Sequence, residues 1–139
     1  MSRLLDDLHP RSRPQFFELL ARATEAGIPL MIVFTGRTRE EQAALYAIGR
    51  TDGQPASKQV TWTLDSKHVM SPLQNMKSLA IDVCPFETFE LHGPDKLQWS
   101  GADPVWQKIG AIGEGVGLLW GGRWKTPDLG HFEFTGPLT

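Results

Sequence analysis

Two of the four histidines in this 139-residue chain keep company that suits chemistry. His131 lies in Asp128-Leu129-Gly130-His131-Phe132-Glu133, with one acid three positions before it and another two after. His68 follows Ser66-Lys67. Fourteen positions further on (82 − 68) comes Asp82, inside the apolar run Leu79-Ala80-Ile81-Asp82-Val83. An aspartate in such a run is costly to bury unless it is paired or bound to a metal. Backbone hydrogen bonds at a strand end would also satisfy it, and spacing alone leaves both readings open. Two imidazoles and one carboxylate are a set that catalytic zinc accepts, with a fourth position left for water. A carboxylate outside the ligand set would then handle that water's proton. Asp128 and Glu133 are the candidates, since positions 131 and 133 of a strand point to one face. The chain holds no HExxH stretch that would settle the metal site by motif.

Arg37 adds a third kind of group. It lies between an apolar run at 30–34 and a helix start, where a guanidinium can hold a substrate carboxylate or a developing oxyanion. The plain alternative is a surface ion pair with Glu40 or Glu41. His9 before Pro10 and His92 before Gly93 are expected to be solvated. Cys84 is the one cysteine, so no intramolecular disulfide is possible, and its apolar neighbours suit a small buried side chain.

The elements that must position these groups follow from pattern. Residues 12–26 predict a helix, with Ser12 as cap, Pro14 in the first turn, a stripe of Phe16, Leu19, Leu20 and Ala23, and Gly27 as stop. Residues 30–34 predict a buried strand. Thr38 with Glu41 makes a capping box for a helix over 39–48, closed by Gly49. Residues 51–65 and 67–77 are irregular, and 79–83 is a second buried strand. A loop over 85–102 leads to Asp103-Pro104 and a helix over 104–115. A short strand at 118–120, a turn at 120–124 and a strand over 131–134 complete a small α+β domain.

Size and charge set outer limits. The length suits one domain spanning 1–139, without a separate wall-binding domain. A net charge of −2 and a pI near 6.1 give no electrostatic case for nucleic acid or an anionic membrane surface. No apolar run approaches the ~18 residues of a membrane span. The opening MSRLLDDLHPRSRP has no apolar segment of signal-peptide length.

Three blocks then resemble a known family. Thr35-Gly36-Arg37-Thr38, Glu41-Gln42 and Leu45-Tyr46-Ala47-Ile48-Gly49-Arg50-Thr51 resemble the GxRTxxEQxxLYxxGRT block of phage-type L-alanyl-D-glutamate endopeptidases. These are zinc peptidoglycan hydrolases related to the VanY-type and VanX-type D-alanyl-D-alanine peptidases. Ser66-Lys67-His68 and Ala80-Ile81-Asp82 match the two ends of the family's SxHxxGxAxD. Trp120-Gly121-Gly122 with Trp124, then Asp128 with His131-Phe132, match its WGGxW and DxxHF; Leu8-His9-Pro10 is similar to its start. The resemblance implies zinc bound by His68, Asp82 and His131, with Asp128 as general base and acid. It implies that Arg37 binds or polarises substrate, and that Ser66 orients the site or contacts substrate. Glu133 stays as the second-ranked base.

The implied fold is a small α+β domain whose central antiparallel sheet carries the zinc, flanked by helices, as in D-Ala-D-Ala peptidases and hedgehog-like domains. The implied reaction is hydrolysis of peptidoglycan stem peptides, at the L-Ala–D-Glu bond. A D-alanyl-D-alanine carboxypeptidase or dipeptidase and a non-catalytic wall-binding module are the alternatives. The implied setting is a monomeric phage or prophage endolysin for host cell lysis. It would be made in the host cytoplasm, leave through a holin-like pore and act on the wall. One departure stands out. The motif spaces histidine and aspartate by seven, against fourteen here, so residues 69–78 contain an insertion, and Ser78 stands where the motif has glycine. Loop closure entropy grows slowly with length, so zinc binding should survive and substrate preference should be what changes.

Overall fold

A computed structural model describes residues 1–51, 53–86 and 96–139. The first helix, α1 (Arg13–Glu25), buries Phe16, Leu19 and Ala23 on one stripe. Its expected cap works differently from the pattern: Ser12 Oγ donates to the His9 carbonyl at 2.6 Å, while the Ser12 carbonyl accepts from Phe16 N. Gly27, at φ +79°, turns the chain out of the helix. Strand β1 (Leu30–Phe34) follows, then α2 (Arg39–Ala47). The capping box is present: Thr38 Oγ1 accepts from Glu41 N at 3.1 Å, and the Glu41 carboxylate accepts from Thr38 N at 2.9 Å.

After two single 3₁₀ turns, Ala56–Lys58 and Pro72–Gln74, come β2 (Ala80–Pro85) and α3 (Val105–Gly115). Asp103 Oδ1 caps α3 by accepting from Val105 N at 2.9 Å. The chain ends through β3 (Leu119–Trp120), a 3₁₀ turn at Gly121–Arg123 and β4 (His131–Glu133). Strands run two residues past, or stop one short of, the pattern-based limits, as element ends commonly do. His92 and half of the 85–102 loop, residues 87–95, lie outside the described residues.

The four strands form one antiparallel sheet in the order β1-β2-β4-β3. Register decides which face each side chain takes. Ile81 pairs with Phe132, and Trp120 also pairs with Phe132, so all three share a face. That face carries α3: a Cβ added at Gly113 would lie 2.1 Å from the Phe132 ring, and one at Gly110 would lie 2.5 Å from the Trp120 ring. Phe16 and Leu19 of α1 join Ile109 of α3 in the same core, where each is fully buried. One residue along, Asp82 pairs with His131, and strand alternation turns both to the opposite face.

Cys84 is buried, as its surroundings suggested. The expectation of a solvated His9 is corrected: it is 3% exposed. The segment Leu8–His9 lies alongside Ser78, with His9 N donating to the Ser78 carbonyl at 2.8 Å. His9 Nδ1 accepts from Arg11 N at 3.1 Å, and Nε2 lies 3.3 Å from Asn75 Nδ2. Among the described residues, no helix is long and apolar enough to cross a membrane.

Candidate metal centre

The β2–β4 register brings Asp82 beside His131, and a loop delivers the third group. Arg37 N donates to the His68 carbonyl at 2.8 Å and Met70 N to the Arg37 carbonyl at 2.9 Å, which fastens residues 68–70 to the end of β1. Three atoms converge as a result. His68 Nε2, His131 Nδ1 and Asp82 Oδ1 lie pairwise 3.2 Å apart. Tetrahedral zinc with bonds of about 2.0–2.1 Å spaces its ligand atoms about 3.3–3.4 Å apart, so this triangle fits the ion.

Proton positions support the same fit. His68 Nδ1 lies 2.6 Å from the Thr35 carbonyl, which can only accept, so Nδ1 carries the hydrogen and Nε2 presents a lone pair. His131 Nε2 lies 2.9 Å from Glu133 Oε1, which fixes the other tautomer and turns the Nδ1 lone pair inward. Two lone pairs and a carboxylate oxygen facing one point call for a cation between them. Burial disfavours charge on Asp82, but the neighbouring His68 and a hydrogen bond with His131 outweigh it and hold the carboxyl well below the usual carboxylate range. Burial likewise opposes charge on His131; its bonds to Asp82 and Glu133 prevail and raise it to about 9.

Asp128 stands at the rim, its side chain 54% exposed, with Oδ2 3.9 Å from His131 Nδ1. Desolvation against the cleft wall and the charge of Asp82 push its carboxyl upward. Arg37 pairs with Asp82 rather than with Glu40 or Glu41: Nη2 lies 3.5 Å from Asp82 Oδ2, while Nη1 donates to Gln42 Oε1 at 3.1 Å. Ser66 Oγ accepts from His68 N at 3.2 Å, shaping the turn that carries that histidine. Every site residue expected from sequence therefore lies in one neighbourhood, and Glu133 is occupied with a ring nitrogen that points away from the triangle.

Three contributors were not legible. Thr35 acts through its carbonyl, which no side-chain pattern reveals. Gln42 is the buried residue of α2 and donates from Nε2 to the Thr63 carbonyl at 2.7 Å, tying Arg37 to the loop beyond. A glutamine on the inward stripe of an otherwise solvated helix was the available signal. Trp124 lies with its ring 4.8 Å from that of His131, tilted against it by 46°. Residues 69–78, which contain the insertion, fold into a compact turn around Gln74, whose Nε2 lies 3.0 Å from both the Val69 and Lys77 carbonyls. Ser78, in the glycine's place, sets its hydroxyl 2.7 Å from the same Thr35 carbonyl that holds His68. A cleft of about 670 Å³ opens over the triangle, walled by Arg37, residues 59–63 and 65–68, Trp124, Asp128 and Glu133.

Residues 60–134 match the M15 peptidase family model described as D-alanyl-D-alanine carboxypeptidase. That span holds the three ligand candidates and Asp128, and leaves Arg37 and Gln42 outside. The fold is similar to the crystal structure of Serratia marcescens L-Ala D-Glu endopeptidase ChiX, with a TM-score of 0.65 over 94% of this chain and 83% of that one, at 20% identity.

Proposed function

Because this chain belongs to the M15 peptidase family described as D-alanyl-D-alanine carboxypeptidase, we propose that it is a zinc endopeptidase that cleaves peptidoglycan stem peptides at the L-Ala–D-Glu bond. The observation that carries the zinc is the 3.2 Å triangle of His68 Nε2, His131 Nδ1 and Asp82 Oδ1, with both imidazole tautomers set by Thr35 and Glu133. Zinc bound there supplies Lewis acidity toward the scissile carbonyl and acidifies water. The remaining work falls to the chain's own groups. Asp128 takes the proton of the attacking water and returns it to the leaving amine. Its exposed position at the rim leaves it free to move between those two partners. Arg37 offers N–H groups not engaged by Asp82 or Gln42 to a substrate carboxylate. Glu133 holds His131 rather than acting as base, and Ser66 sets the turn of His68.

The likeness in fold to an L-Ala D-Glu endopeptidase, and the block around Arg37, support the L-Ala–D-Glu bond. The family description supports a second reading, release of terminal D-Ala. A purely structural zinc normally has four protein ligands, whereas the group among the described residues has three, which favours catalysis over a wall-binding module. We propose that the protein acts as a monomeric endolysin, synthesised in the host cytoplasm and reaching the wall through a holin-like pore. Mass analysis of purified peptidoglycan after digestion tests the activity. New L-Ala and D-Glu ends that disappear with EDTA are the expected result, and release of free D-Ala instead would overturn the bond assignment. The setting is tested in cells: lysis should require co-expression of a pore-forming protein.

A further inference from the structure

We infer that Trp62 is a platform for a sugar ring of the glycan strand, with Trp124 flanking it, so that the cleft recognises the saccharide as well as the peptide. The inference rests on the L-Ala–D-Glu reading. Both tryptophans wall the cleft that opens over the metal ligands, and they come from different loops. Trp62 is 56% exposed and Trp124 39% exposed. Scattered exposed apolar side chains are ordinary. These two differ because each ring is propped from one side. The Arg50 guanidinium lies 5.9 Å from the Trp62 ring centre and 3.8 Å from that of Tyr46, and its Nη1 donates to the Tyr46 carbonyl at 2.7 Å. Cation–π contact of that kind favours a fixed ring. Trp124 rests on the His131 ring, tilted by 46°. Two flat apolar surfaces thus remain open toward the substrate.

Substrate chemistry says what meets them. In peptidoglycan the L-Ala nitrogen is joined to the lactyl group of an N-acylated amino sugar. One extended residue spans about 3.3–3.6 Å. A cut on the carboxyl side of L-Ala therefore leaves the sugar about one residue and a lactyl group from the metal, within this cleft. A pyranose carries a face of C–H groups, which suits an indole face. A cut between the two terminal D-Ala residues would lie three residues further along, roughly 10 Å more from the sugar.

The test compares kcat/KM of the zinc-loaded protein on two soluble substrates: a disaccharide-linked stem peptide, and the same peptide N-acetylated and without sugar. The wild-type protein should prefer the first. Trp62→Ala should lower that preference by about three- to tenfold, the range of one aromatic contact. It should leave the rate on the sugar-free peptide within about twofold, with zinc content and Tm unchanged. Trp62→Phe, which keeps a ring, should retain part of the preference. Equal loss on both substrates would mean that Trp62 grips the peptide or shapes the loop, and would overturn the proposal. So would a wild-type protein indifferent to the sugar. Product masses separate the two layers: L-Ala–D-Glu cleavage without sugar preference sinks this inference alone, whereas D-Ala release sinks both.

Discussion

At the scale of single residues, Asp128 and Glu133 began as rivals for one task, and ring nitrogens distinguish them. Glu133 accepts from His131 Nε2, the nitrogen turned away from the triangle, while Asp128 lies on the Nδ1 side. Asp128→Asn should keep the zinc and lose about 10²–10⁴ in kcat, the usual worth of a general base; metal analysis beside the rate measurement checks it. Glu133→Ala should instead weaken zinc binding by about 10–100-fold, read by titration with a competing chelator, while Glu133→Gln, which can still accept, recovers most of it. Gln42→Leu leaves an Arg37 N–H and the Thr63 carbonyl without their buried partner. The cost should be about 1–3 kcal/mol in stability, seen in urea unfolding. Side-chain identity made Asp82, His68, His131 and Asp128 legible in the sequence. It was silent on Thr35, whose contribution is a main-chain oxygen, and on which nitrogen of His131 a neighbouring acid would take.

Elements set the distances that residues exploit. The strands were readable because their apolar runs are short and bounded by Pro and Gly; their pairing was not, since register depends on where distant segments meet. The contact between α3 and the sheet was hidden too, although glycines at 110 and 113, one turn apart, hinted at a close approach. Gly→Ala inside a helix ordinarily stabilises by roughly 0.5–1 kcal/mol. At Gly113 the new methyl would lie 2.1 Å from the Phe132 ring. Gly113→Ala should therefore destabilise by about 1–3 kcal/mol, visible as a lowered Tm. Zinc affinity should fall with it, because Phe132 sits between His131 and Glu133 on β4. The inserted turn at 69–78 was expected as a length, and the structure adds its internal order through Gln74.

For the molecule as a whole, the candidate ligand set joins β2, β4 and the loop at 66–69, segments far apart in sequence. A metal that binds only the folded chain stabilises it by mass action, so Tm should rise with zinc concentration and fall on chelation. A Tm indifferent to EDTA would contradict the assigned triangle. The α+β class, the antiparallel sheet and the family were all legible, because the motif blocks sit at the points where strands and loops deliver the ligands. Bond choice and biological setting came from the family resemblance rather than from residue pattern, and the peptidoglycan digest and the lysis assay test them.

The ion pair between Arg37 and Asp82 has a consequence for coordination number. Asp82 Oδ1 faces the two imidazoles, while Oδ2 is drawn to the guanidinium. With Oδ2 so engaged, Asp82 would hold a metal through Oδ1, and a site of three protein ligands would leave a fourth place for substrate or water. Arg37→Ala should free Oδ2 to chelate, and X-ray absorption of the zinc-loaded variant would register the additional oxygen. The arginine would then serve twice, with its remaining N–H groups as a hand for the substrate and with Nη2 as a restraint that stops the protein's own aspartate from filling the site.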